Sequence, residues 1–66
     1  MKFKELKEIL SCCSHFEISY NVDNLNRKIY CNYGDIYEIS NLYSLNEKEV
    51  IFIGAIDENY LLISLM

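Results

Sequence analysis

The sequence predicts an α+β domain: an N-terminal helix packed on a four- or five-stranded antiparallel sheet that ends in a C-terminal β-hairpin. Three observations predict it. Phe3, Leu6, Ile9, Leu10 and Cys13 recur at helical spacing while Lys4, Glu5, Lys7 and Glu8 fall on the opposite side. From His15 the period changes to two, with Phe16, Ile18, Tyr20 and Val22 alternating against His15, Glu17, Ser19 and Asn21. Near the C-terminus, Val50 to Ile56 and Tyr60 to Met66 are both strand-rich and are split by Asp57-Glu58-Asn59, the length of a hairpin loop.

Taken in order, the helix spans residues 3 to 13 and the first strand 15 to 22. Asp23, Asn24 and Asn26 supply the turn, because short amides and carboxylates bond their own backbone and tolerate left-handed conformations. A second strand runs from about Arg27 to Tyr33, with Ile29, Cys31 and Tyr33 on one side, and Gly34-Asp35 ends it. Residues 36 to 45 read two ways. Ile36, Ile39, Leu42 and Tyr43 suit a helical turn, but a short strand near 36 to 40 followed by an irregular or single-turn helical segment through Leu45 is the preferred reading. Asn46 to Glu49 forms a polar loop before the hairpin.

In the hairpin the alternation fails. Val50, Phe52 and Ile56 oppose Ile51, Ile53 and Ala55, and Tyr60, Leu62 and Met66 oppose Leu61, Ile63 and Leu65, so both faces are apolar. One helix covers one face, and a second apolar face left open marks an interface. Ile51, Ile53, Leu61, Ile63 and Leu65 are therefore the expected self-association residues of a homodimer, formed sheet on sheet or by pairing the C-terminal edge strand. The alternative is a monomer in which residues 36 to 45 fold over as a lid.

Sixty-six residues, 52% of them apolar, make a single domain covering 1 to 66. At this size folding hides only roughly 60% of the unfolded chain's surface, which excludes most deep-pocket enzymes and favours action through the surface. Proline, tryptophan, threonine and glutamine are absent while tyrosine and isoleucine abound, the opposite of a disordered composition. No apolar run approaches the roughly 18 residues that cross a bilayer, and no secretory leader is read at the start. With an odd cysteine count, that makes the cytosol the expected compartment, with reduced thiols.

The net charge of −4 comes from the second half, where residues 35 to 66 hold one Lys against six acids. Direct nucleic-acid binding is not expected of it, because phosphate neutralisation needs clustered Lys and Arg. Cys12, Cys13, His15 and Cys31 are the residue types that zinc prefers, but adjacent cysteines do not make a knuckle, and no metal is assigned. A Cys/His nucleophile pair lacks an orienting partner and an oxyanion site, and Gly34 and Gly54 stand too far apart for a phosphate loop. Neither catalytic residues nor a cofactor follow. Protein binding is what remains. Tyr30, Tyr37 and Tyr43 fall off the apolar faces and give large contact area at low entropy cost. Asp35, Glu38, Glu47 and Glu49, with Asp57 and Glu58, would steer an acidic face to a basic partner, including as a decoy for a nucleic-acid-binding site.

The opening Lys2-Phe3-Lys4-Glu5-Leu6-Lys7-Glu8-Ile9-Leu10, then Glu49-Val50-Ile51-Phe52-Ile53-Gly54-Ala55 and the closing Tyr60-Leu61-Leu62-Ile63-Ser64-Leu65, resemble small accessory proteins encoded by bacteriophages and mobile elements of low-GC Gram-positive bacteria. The resemblance implies a non-enzymatic role as an inhibitor of a bacterial defence system that binds a larger host protein.

Overall fold

The computed structural model describes residues 1 to 8, 10 and 14 to 66. Ile9, Cys12 and Cys13, which carry part of the expected helix and of the thiol inventory, lie outside the described residues. Helix α1 (Phe3–Lys7) is followed by β1 (His15–Val22), β2 (Leu25–Asn32), a 3-10 turn (Tyr33–Asp35), α2 (Ile36–Leu42), β3 (Val50–Asp57) and β4 (Tyr60–Leu65). The strands form one four-stranded sheet in the order β2-β1-β4-β3.

Its sheet is mixed, which corrects the purely antiparallel expectation. Two antiparallel hairpins, β1/β2 and β3/β4, are joined through a parallel pairing of β1 with β4. Parallel neighbours need a long crossover, usually helical. Here the connection from β1 to β4 runs through β2, α2 and β3. Helix α2, which carries the chain from one hairpin to the other, lies in the segment read from sequence as a short strand, so misreading 36 to 40 also concealed the parallel pair. The helix holds there because Ile36, Ile39 and Ser40 share its inner side, while Leu42 and Tyr43 are exposed. The Asn32 side chain accepts the Asp35 N–H at 3.1 Å and starts the 3-10 turn that leads into it. At its far end Ser44 turns left-handed (φ 56°) and the Leu45 N–H reaches back to the Ser40 carbonyl at 2.8 Å, a Schellman closure that drops Leu45 into the core.

The β1/β2 turn behaves as its chemistry predicts. Asp23 and Asn24 both take positive φ (52° and 66°), the two-residue hairpin geometry that matches strand twist. In the β3/β4 hairpin Asp57 pairs with Tyr60, so the loop is Glu58-Asn59 rather than three residues.

The core lies between the helices and one face of the sheet. β1 supplies Phe16, Ile18 and Tyr20, β4 supplies Ile63 and Leu65, and Phe3, Leu6, Leu10, Ile36 and Leu45 cover them. The expected opposition of faces on β3 does not occur, because register shifts at Ile51 and Ile56 interrupt the pleat. Val50, Ile53 and Ala55 pair with Leu65, Ile63 and Leu61, so these three share the helix side. The other side of the sheet is mixed: Glu17, Ser19, Lys28 and Ser64 stand among Tyr30, Leu62 and Phe52. A continuous second apolar face is absent among the described residues. Its apolar surplus sits on β3, beyond the reach of the helices.

A charged strap ties α1 to the loop before β3. Lys2 and Lys4 donate to the two oxygens of Glu47 at 2.8 and 2.9 Å. The hydrogen bond from Lys2, then that from Lys4, pulls the Glu47 carboxyl down to about 2. A carboxylate with its folded value below its unfolded one stabilises the fold fully above the unfolded value, near 4.5, and loses that contribution as pH falls toward 2. The strap is exposed, so its effect is small and salt-screened. Thermal unfolding of the protein and of Glu47→Gln should differ at pH 6 and converge near pH 2; a difference of equal size at both values would contradict the strap.

Candidate functional site

Two regions offer surfaces for recognition. The first is the free edge of β3. Its start is covered, since the Val50 N–H donates to the Met1 carbonyl at 2.8 Å, the Phe3 N–H donates to the Lys48 carbonyl at 2.9 Å, and Lys2 bridges to Glu49. From Ile51 to Asp57 no described strand lies outside it. Ile51, Phe52, Ile53 and Ile56 are each between 44% and 57% exposed. The Phe52 ring lies back over Gly54, where an added Cβ would stand 2.7 Å from it. Beside them Met1, Val50, Ile51, Phe52 and Ile53 line a shallow groove of about 250 Å³. The other edge, β2, carries Arg27 and Lys28, the charges that normally protect an edge. β3 has no Lys, Arg or Pro.

Of the residues expected to mediate self-association, only Ile51 and Ile53 are available at this edge. Ile63 and Leu65 are fully buried under the helices and Leu61 is half-buried against the same core. The C-terminal strand β4 is not the edge expected of it: it is central, held by β1 on one side and β3 on the other, and the edge of that hairpin is β3.

The second region is a cavity of about 480 Å³, open to solvent at the end of the sheet where β1 and β4 begin and β2 ends. His15, Phe16, Tyr30, Cys31, Asn32, Asp35 and Tyr60 line it. Strand pairing assembles it: His15 sits opposite both Asn32 and Tyr60, and Phe16 opposite Cys31. The His15 and Tyr60 rings lie 6.4 Å apart at 53°. The carboxylate of Glu17, the cross-strand neighbour of Tyr30, raises the pKa of the Tyr30 hydroxyl. Burial, then the nearby Asp35 charge, pushes the Cys31 thiol up, so it stays protonated and is a poor nucleophile. Among the described residues no His, Cys, Asp and Glu group of three or more is placed to hold a metal.

Compared with known proteins, the chain matches no family model, no curated protein and no solved structure.

The partner-binding residues expected from sequence separate into groups. Tyr30 and Asp35 meet at the cavity. Tyr37 and Glu38 lie on α2 and Tyr43 just after it, all exposed, with the Lys7 ammonium 4.8 Å from the centre of the Tyr37 ring. Glu47 is held by Lys2 and Lys4, and the Glu49 carboxylate lies 3.4 Å from the Met1 nitrogen. His15 and Tyr60 were missed as members of the cavity because their meeting depends on the parallel β1/β4 register. Among the described residues no helix is long and apolar enough to cross a membrane.

Proposed function

We propose that the protein is a small, non-enzymatic protein-binding module that engages a larger partner by adding a strand of that partner to the open edge of β3. The edge itself carries the reading: Ile51 to Asp57 offers unpaired backbone and exposed apolar side chains with none of the devices that block strand addition apart from its two bulges. Main-chain bonds would supply affinity and the alternate side chains specificity. Its finer form follows the resemblance to accessory proteins of phages and mobile elements: an inhibitor that acts in the bacterial cytosol by occupying a surface of a host defence protein.

Ile51→Lys together with Ile56→Lys tests it by placing charge on two exposed positions. A tagged copy is expected to retain a stoichiometric partner from a Gram-positive lysate, and titration of that purified partner should show affinity falling roughly tenfold or more in the double variant while the unfolding curve stays close to the parent's. Undiminished affinity would remove β3 from the interface. A second reading, antiparallel pairing of β3 with another copy, is favoured by the near-symmetric apolar run Phe52-Ile53-Gly54-Ala55-Ile56 about Gly54. Light scattering separates the two, since self-pairing gives twice the chain mass in the parent and the single mass in the double variant.

A further inference from the structure

We propose that the cavity at the end of the sheet receives an arginine side chain of the protein partner, its guanidinium stacked among the rings of Tyr30, Tyr60 and His15 and paired with the Asp35 carboxylate. This inference rests on the reading of the chain as a protein-binding module and adds the chemistry of what is bound.

Charge is the first argument. Neither the cavity nor the smaller depression beside it, which shares His15 and Tyr60 and is lined further by Asp57, Glu58 and Asn59, has a Lys or Arg in its lining. Four carboxylates gather here: Asp35 in the lining, Glu17 directly across the strand from Tyr30, and Asp57 and Glu58 alongside. The other six acids of the chain are equalled in number by its six Lys and Arg residues, so this end accounts for the whole formal charge of −4. Several of those bases are engaged elsewhere: Lys2 and Lys4 on Glu47, Lys7 on Ser40 and Asn46, and Lys48 over the Tyr20 ring. The Asp35 carboxylate has no ion pair among the described residues.

Shape is the second. Aromatic faces attract a cation, and a guanidinium is planar and weakly hydrated, so it stacks on rings while its fork pairs with a carboxylate. An ammonium is a compact, strongly hydrated point charge and uses such a site less well. Phe16 and the half-buried Cys31 give the cavity an apolar floor for the aliphatic stem. Its position also fits a partner on β3, because Asp57, the last residue of that edge, lines the adjoining depression.

Amide chemical shifts of the labelled protein, titrated with acetyl-arginine-amide, read this directly. Saturable shifts are expected at His15, Tyr30, Asp35 and Tyr60, in roughly the millimolar range and weakening with salt. Acetyl-citrulline-amide, which has the same shape and no charge, should produce none, and acetyl-lysine-amide should bind more weakly. Asp35→Asn and, separately, Tyr30→Ala should each weaken the arginine probe several-fold, with the amide spectrum elsewhere unchanged as the control for folding. Equal binding of the citrulline probe, saturable shifts that map to β3 instead, or no saturable shift would overturn the proposal. Tighter binding of free L-arginine than of the blocked form would also overturn it, because the site would then serve a free amino acid. Strand addition at β3 is tested separately by Ile51→Lys with Ile56→Lys, so the two can fail independently.

Discussion

Phe16→Ala should leave the protein largely unfolded at 37 °C. The ring is 1% exposed on the helix side of β1, 6.5 Å from the Tyr33 ring, and its strand is paired on both sides. Removing a buried Phe costs about 3–5 kcal/mol through lost transfer energy and the residual cavity. A chain of this length has a total stability on the order of 3–10 kcal/mol at ~0.05–0.15 kcal/mol per residue. The loss is therefore comparable to the whole, and among the described residues no second core limits it. Phe52→Ala removes the same atoms from an exposed site and should change stability by less than about 1 kcal/mol. Urea unfolding followed by far-ultraviolet circular dichroism compares them. Equal shifts in the two variants would mean that the face of β1 assigned to the core is wrong. Phe16→Leu, which keeps most of the volume, should recover most of the loss.

What could be read in the sequence was local. β1 was legible because one face is buried and one is not, so polar and apolar residues alternate along it. The turn at Asp23-Asn24 was legible because few residues tolerate positive φ. β3 was legible as a strand but not in its facing, since a bulge leaves no trace in a run of Ile, Phe and Val. α2 was ambiguous for a different reason: Ser40 occupies a fully buried position on its inner side, so the apolar period breaks where a hydroxyl does the packing.

Recognition surfaces divide along the same line. That the hairpin carries more apolar surface than one helix hides was visible from composition, and exposed Ile51, Phe52, Ile53 and Ile56 bear out that surplus. Its location was not visible, because it depends on which strand ends at the edge. The cavity depends still more on topology: the β1/β2 hairpin brings Asn32 opposite His15, but Tyr60 is remote in sequence and joins them only when β4 inserts beside β1. Tyr30 and Asp35 could be singled out as exposed contact residues, but a sequence does not say that they share a wall.

Lys7 is the residue whose sequence reading the fold reverses, and its removal should be the next most costly change. Phe3, Leu6, Lys7 and Leu10 stand at i, i+3, i+4 and i+7, so a lysine occupies a position of the apolar stripe. It is 6% exposed. Its ammonium donates to Ser40 Oγ at 2.7 Å and to Asn46 Oδ1, and lies over the Tyr37 ring, which joins α1 to α2 and to the loop before β3. Ser40 in turn donates to the Tyr37 carbonyl at 2.9 Å. Lys7→Ala removes the aliphatic stem and strips both acceptors of their donor, at a cost of roughly 2–4 kcal/mol. Lys7→Met restores the volume but not the donor, and should recover only part. A double-mutant cycle with Ser40→Ala isolates the link: coupling of about 0.5–3 kcal/mol is expected for groups in one hydrogen-bonded network, whereas strict additivity would mean that the two helices are held by apolar packing alone. The same contact makes Tyr37 the member of the tyrosine set least free to meet a partner, since its ring already carries a cation from its own chain. Tyr37→Leu should therefore lower stability and leave the affinity for arginine at the cavity unchanged, the reverse of what Tyr30→Ala should do.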